Sequence, residues 1–135
     1  MTQHHLSDKT NMFDVVIIGG AMMGSAAAWF LSHHPEFDGR ILVIERDPTY
    51  SFCSTSHTHS CVRQQYANAV VGPHPDMPNF YFMNGFSGHG LQQSPAMGRG
   101  IAEHIVSGTY QTLDLSAFGF DRILTQTPLP ETAII

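Results

Sequence analysis

Two runs of apolar, β-branched residues frame the first third of the chain. Phe13-Asp14-Val15-Val16-Ile17-Ile18 and Ile41-Leu42-Val43-Ile44 lack the strict alternation of a half-exposed strand. They read as strands of a parallel sheet buried on both faces. Between them, Gly19-Gly20-Ala21-Met22-Met23-Gly24 breaks the first run, and Ser25-Ala26-Ala27-Ala28-Trp29-Phe30-Leu31 is a strong helix former. That helix is predicted to stop near His33-His34-Pro35, because the residue before a proline disfavours helical backbone. The strand–turn–helix–strand unit covers roughly 32 residues, the size of a βαβ crossover.

Beyond Glu45 the pattern weakens. Residues 46–60 are rich in Ser, Thr and His and read as loop. Ala69-Val70-Val71 predicts a short strand ahead of Gly72-Pro73, and Phe80-Tyr81-Phe82-Met83 predicts a better one, closed by Asn84-Gly85. A second glycine-rich loop, Gly85-Phe86-Ser87-Gly88-His89-Gly90, follows. Ser94-Pro95 then reads as an N-cap with proline at the first helical position. Met97, Ile101 and Ile105, with Ala102 and Val106, keep helical spacing up to a C-cap at Gly108. Gly98 and Gly100 weaken that helix but permit close backbone approach. Residues 1–11 and 125–135 read as tails, the first without the apolar core of a signal peptide. No internal repeat is present.

Composition narrows the possibilities. A chain of 135 residues predicts one domain, and 42% hydrophobic residues support a modest core. Only 13% are charged, so a loop-rich chain of this kind is expected to lean on a cofactor or partner for part of its stability. The net charge is −5, and the six cations (Lys9, Arg40, Arg46, Arg63, Arg99, Arg122) form no stripe, which argues against nucleic acid as a partner. The absence of an apolar run of transmembrane length argues against a membrane partner. Cys53 and Cys61 make no disulfide framework, so a cytoplasmic setting is expected. The histidine pairs at 4/5, 33/34 and 57/59 lack a third ligand at a supporting spacing, so they read as surface and loop histidines and no metal is expected. Trp29, Met22 and Met23 read as packing residues.

The first glycine loop carries the chemistry. A dinucleotide fingerprint places one glycine for the tight turn, a second for approach of the pyrophosphate, and a third for helix–strand packing. Gly19 and Gly24 fill the first and third places, and Ala21 the second, where its methyl group hinders close approach. The helix that follows offers unpaired N–H groups and a positive dipole end to phosphates. Glu45 lies 21 residues after Gly24 at the tip of the second strand. There a carboxylate accepts from a ribose diol and repels a 2′-phosphate, which disfavours NADP. The same segment without a ligand would be a tight βα turn with Glu45 as a solvated strand end. Nicotinamide and flavin units share this fingerprint, so by itself it does not choose between them.

The second loop makes the choice by resemblance. Asn84-Gly85-Phe86-Ser87-Gly88-His89-Gly90-Leu91-Gln92-Gln93-Ser94-Pro95-Ala96-Met97-Gly98-Arg99 resembles the C-terminal flavin-contacting segment of FAD-dependent oxidoreductases of the D-amino-acid oxidase, sarcosine oxidase and glycine oxidase family. Val71-Gly72-Pro73-His74-Pro75 and the stretch from Ser54-Thr55-Ser56 to Arg63-Gln64-Gln65-Tyr66 resemble it too, so the likeness spans roughly residues 12–120. It implies FAD as cofactor and an α/β fold, a Rossmann-like FAD-binding βαβ unit with a truncated, mainly parallel sheet. Gly19, Gly20, Ala21, Met22, Met23 and Gly24 would lie along the pyrophosphate, Glu45 at the adenosine ribose and Arg46 beside the adenine. Ser54, Thr55 and Ser56 would add donors near the phosphates or flavin. Arg63, Gly85, Ser87, Gly88, His89, Gly90, Leu91 and Gln92 would lie near the isoalloxazine ring. Covalent flavin attachment through His57, His59, Cys53 or Cys61 is chemically open but not expected.

The resemblance also implies a gap. In that family a long stretch, holding the substrate domain, separates the two segments, whereas here Tyr66 and Val70 are only a few residues apart. The expected arrangement is a minimal FAD-binding domain over 12–124, with an N-terminal part 12–66 joined to a C-terminal part 69–124. The implied reaction is hydride transfer from the Cα of an amine or amino-acid substrate to flavin N5. A substrate pocket left absent or open to water would impair it. Two other readings stay open: a non-catalytic FAD-binding or assembly module that meets a companion chain or a second copy, and a piece of an NAD-linked dehydrogenase.

Overall fold

The computed structural model describes residues 12–57, 68–127 and Leu129. Strand β1 (Val15–Ile18), helix α1 (Met22–Ser32) and strand β2 (Ile41–Ile44) form the predicted unit. β1 and β2 pair in parallel, Val15 opposite Ile41 and Ile18 opposite Ile44. The Gly19 N–H extends the ladder by donating to the Ile44 carbonyl at 2.8 Å. Helix α1 turns Gly24, Ala27 and Leu31 inward and lies on the face of the sheet that carries Ile17.

Two expectations change here. The opposite face of the β1–β2 sheet is bare among the described residues: Val16, Ile18 and Ile44 are 50%, 83% and 48% exposed. An unbroken apolar run matches a strand covered on both sides, yet only one covering layer is present. Trp29 is also not an interior packing residue. It is 60% exposed and stacks on His33, ring centroids 3.8 Å apart.

Strand β3 (Val70–His74) and strand β4 (Met77–Asn84) form a second, separate sheet. They pair antiparallel, so the sheet is not mainly parallel as the resemblance implied. The reason is local: Pro75-Asp76 is a two-residue connection, and only an antiparallel return can be made that tightly. Pro73 sits in β3, which has β4 as its one neighbour, where a strand tolerates the missing donor, and the register shifts between Pro73 and His74.

Helix α2 runs from Gly90 to Ser107, starting four residues before Ser94. Ser94-Pro95 imitates a helix start, but the break that sets the boundary is Ser87-Gly88, both left-handed (φ 49° and 84°). Proline at the sixth helical position removes the N–H that the Leu91 carbonyl would accept. The Ser94 hydroxyl replaces it, donating to that carbonyl at 2.8 Å. The far end is as predicted, with Gly108 left-handed at φ 74°. A 3-10 turn (Ser116–Phe118) and the short helix α3 (Asp121–Leu124) complete the described chain.

The core lies between α2 and the hairpin: Ala69, Val71, Phe86, Met97, Ile101 and Leu115, with Met23 of α1 packed against it. The glycines of α2 decide how its neighbours approach. A Cβ on Gly98 would stand 2.6 Å from Ala26 of α1, and one on Gly100 would stand 2.4 Å from Leu115. Helix α1 is thereby locked to α2, and the two halves of the chain share one core.

Candidate functional site

Gly19 leaves β1 with φ 97°, a conformation that favours glycine. A Cβ on Gly24 would fall 1.8 Å from the Gly19 carbonyl oxygen, so only glycine lets α1 start this close to the strand. Ala21 precedes α1 in extended backbone with no side-chain cap. The first-turn amides of α1 have no partner within the helix and mark its positive end. The Met22 N–H faces the Thr55 hydroxyl at 3.5 Å, and Ser25 donates its hydroxyl to the Gly20 carbonyl at 2.5 Å.

Glu45 closes over this turn. One carboxylate oxygen accepts the Gly20 N–H at 2.7 Å, and the other accepts the Asp47 N–H at 3.0 Å. The Asp47 and Gly20 amides hold the carboxyl below its ordinary range. Each oxygen keeps a second lone pair, so the acid stays competent to accept a ribose hydroxyl. Arg46 beside it is exposed.

The loop after β2 folds back to form the other wall. The Asp47 carboxylate accepts the Thr49 hydroxyl (2.6 Å) and amide, the Ser51 hydroxyl (2.9 Å) and the Phe52 amide. The Thr49 hydroxyl is the main cause that lowers the Asp47 pKa to about 2. The result is an open cleft of about 250 Å³. Of the predicted residues it gathers Gly20, Ala21, Met22, Thr55 and Ser56. It also recruits Ser25, Tyr50 and Cys53, which the motif does not point to. Ser54 is exposed and does not line it. The Cys53 thiol is lowered by the Ser56 hydroxyl, 3.2 Å away, and by neighbouring amides. Arg63 lies outside the described residues, as do His59 and Cys61.

The second glycine loop arrives beside the first. Gly85 (φ 79°), Ser87 and Gly88 carry the chain through left-handed conformations, and the His89 N–H closes a turn on the Phe86 carbonyl at 2.8 Å. A Cβ on Gly90 would stand 3.3 Å from the Met23 terminal methyl. Gly90 and Met23 are the first and second residues of their helices, so the two helix N-termini meet. Leu91 and Gln92 lie half-buried in the first turn of α2. Nearby, His89 Nδ1 and both amide atoms of Gln93 are buried without a hydrogen-bond partner.

These residues fit part of a dinucleotide. A cleft of about 250 Å³ is below the roughly 300–1,000 Å³ that encloses a drug-sized ligand. It suits a pyrophosphate and its flanking ribose, with the adenine and isoalloxazine ends reaching beyond it. Hydroxyl and amide donors line it, Glu45 stands behind Gly20 as an acceptor outside that lining, and the buried polar atoms of His89 and Gln93 lie on the flavin side of the resemblance. Among the described residues, no group of three or more His, Cys, Asp or Glu could hold a metal ion. No helix among them is long and apolar enough to cross a membrane.

Known proteins resemble this chain. Residues 14–69 match the family model of FAD dependent oxidoreductases, DAO type. FAD-dependent oxidoreductase domain-containing protein 1 of Xenopus laevis is 56% identical over 68 residues, 50% of this chain and 14% of that protein. Its Bos taurus counterpart is 60% identical over 55 residues, 41% of this chain and 11% of that protein. The Drosophila melanogaster homolog is 36% identical over 104 residues, 76% of this chain and 20% of that protein. The matched stretches thus span a fifth or less of each of these relatives. No solved structure matches the chain. Residues 14–69 thus resemble a DAO-type FAD-dependent oxidoreductase domain, a family that indicates FAD as cofactor.

Proposed function

Starting from that resemblance to FAD-dependent oxidoreductases, we propose that the chain is an FAD-binding module that holds the cofactor between its two glycine loops. The observation that carries the reading is Glu45. It stands at the end of β2, hydrogen-bonded to the Gly20 N–H of the first glycine turn, where a ribose next to the pyrophosphate would need an acceptor. In this reading the first-turn amides of α1, with Thr55 and Ser56, face the phosphates. The second loop, from Gly85 to Gln92, faces the flavin.

Bound FAD supplies hydride acceptance. The parent reaction is oxidation of an amine or amino acid at Cα, as in the D-amino-acid, sarcosine and glycine oxidases. This chain contributes binding and orientation. The cleft is open, and the described residues build no enclosed chamber that would exclude water and position a substrate, so turnover is expected to be slow. The bare apolar face of Val16, Ile18 and Ile44 favours a second reading, a non-catalytic FAD-binding module that docks on a companion chain or a second copy.

The test is a visible absorption spectrum after incubation with FAD and desalting. Retained flavin bands are expected, with little bleaching on addition of sarcosine, glycine or D-amino acids under anaerobic conditions. Rapid bleaching would establish substrate oxidation by the bound flavin, and recovery of the bands on admitting air would establish the full oxidase cycle. A colourless protein that instead binds NADH would overturn the reading.

A further inference from the structure

We propose that Tyr50 is a positioning residue for the cofactor, its hydroxyl donating to the pyrophosphate in the cleft that it lines together with Ala21. The inference rests on the FAD reading above. It begins with a defect in the fingerprint. Ala21 stands where a glycine would let the phosphate touch the backbone, so a donor from elsewhere is needed to restore the lost contact. Tyr50 supplies one. Its hydroxyl oxygen stands against Gly20, 2.8 Å from where a Cβ there would sit, with side-chain atoms of Val43 and Glu45 at 3.3 and 3.4 Å. The side chain lines the same cleft as Ala21 and Met22.

The backbone of Tyr50 makes the same point independently. Its φ is 58°, a left-handed conformation that a bulky side chain rarely adopts. Such outliers persist only where their surroundings over-determine them, and they cluster at ligand clamps. Here the surroundings do so. The Tyr50 N–H donates to the Asp47 carbonyl at 2.9 Å. The Tyr50 carbonyl accepts the Ser56 hydroxyl at 2.5 Å and the Cys53 N–H at 3.3 Å. Yet the residue is 37% exposed, so core packing does not account for the strain. What the strained backbone achieves is to hold the phenol over the first glycine turn.

The experiment compares the wild-type chain with Tyr50→Phe and Tyr50→Gly. The dissociation constant of FAD is read by flavin fluorescence, and those of ADP and adenosine by competition. Tyr50→Phe keeps the ring and removes the hydroxyl. It is expected to weaken FAD and ADP by about tenfold, the size of one hydrogen bond to a charged group, and to leave adenosine unchanged. Tyr50→Gly relieves the left-handed backbone, so it is expected to keep or raise the melting temperature while losing ADP affinity at least as much. Wild-type chain that binds no FAD overturns the FAD reading itself. Wild-type chain that binds FAD, with a Phe variant that binds it equally well, overturns only the role of Tyr50. Equal weakening of adenosine and ADP would also overturn it, because the hydroxyl would not be acting on the phosphates. A lower melting temperature for Tyr50→Gly with unchanged ADP affinity would make Tyr50 a filler of the turn.

Discussion

At the scale of single residues, carboxylates organise the loops. Glu103 is 5% exposed. It accepts the Gln111 and Thr112 amides at 2.9 and 3.0 Å, the Thr112 hydroxyl at 2.6 Å and the Arg99 guanidinium at 3.0 Å. Burial raises its pKa, but the Thr112 and Gln111 donors and Arg99 outweigh that and lower it from 4.5 to about 2. A lowered folded-state pKa stabilises the protein above the unfolded value and loses that stabilisation as pH falls through the folded one. Melting temperature is therefore expected to drop as pH falls from about 4.5 to about 2. Glu103→Gln is expected to cost roughly 2 kcal/mol at neutral pH and to flatten that drop, which thermal melts across the pH range would check. In the site, Gly19, Gly24 and Glu45 were legible in the sequence because each answers a separate geometric need of a βα turn. Tyr50, Ser25 and Cys53 were not. Their place depends on how the loop after β2 folds back, and that loop has no periodicity to read.

At the scale of elements, legibility followed the strength of local signals. Helix α1 and strand β2 lie where the apolar runs put them, and α2 ends at the predicted glycine. The start of α2 was hidden because Ser94-Pro95 carries the local chemistry of a helix start, while the true boundary is set by the left-handed pair Ser87-Gly88. The strands of the hairpin could be read, but not that they stand apart from β1 and β2, since a run of apolar residues does not name its partner. Gly98 joins the two halves. A Cβ there would meet Ala26 at 2.6 Å, so Gly98→Leu is expected to push α1 away from α2. The predicted result is a loss of roughly 2 kcal/mol or more of stability together with weaker FAD binding, because the helix N-termini part. Thermal melts and flavin fluorescence titration read the two effects separately, and unchanged FAD affinity would show that the two loops act independently.

At the scale of the whole molecule, the β1–β2 sheet is the feature that the chain leaves unfinished. Among the described residues it has two strands, hence two uncovered edges, and its bare face carries Val16, Ile18 and Ile44. Exposed apolar strands with open edges are templates for association. Ile18→Lys, at the most exposed of these positions, is expected to change stability by no more than about 0.5 kcal/mol, read from thermal melts. It is also expected to reduce both dye binding and self-association in analytical ultracentrifugation. A large loss of stability instead would mean that Ile18 is covered in solution by another part of the chain or by a second copy.

The contact between Met23 and Gly90 has a further consequence, which is electrostatic. Each helix end behaves as roughly half a positive charge, so folding the core brings two like poles together. Without a counter-charge they push against the helix packing that holds them. In the FAD reading, a pyrophosphate at the start of α1 would offset that repulsion from one side. On that reading flavin loading and folding stability are expected to rise and fall together, which melting temperatures with and without FAD would check.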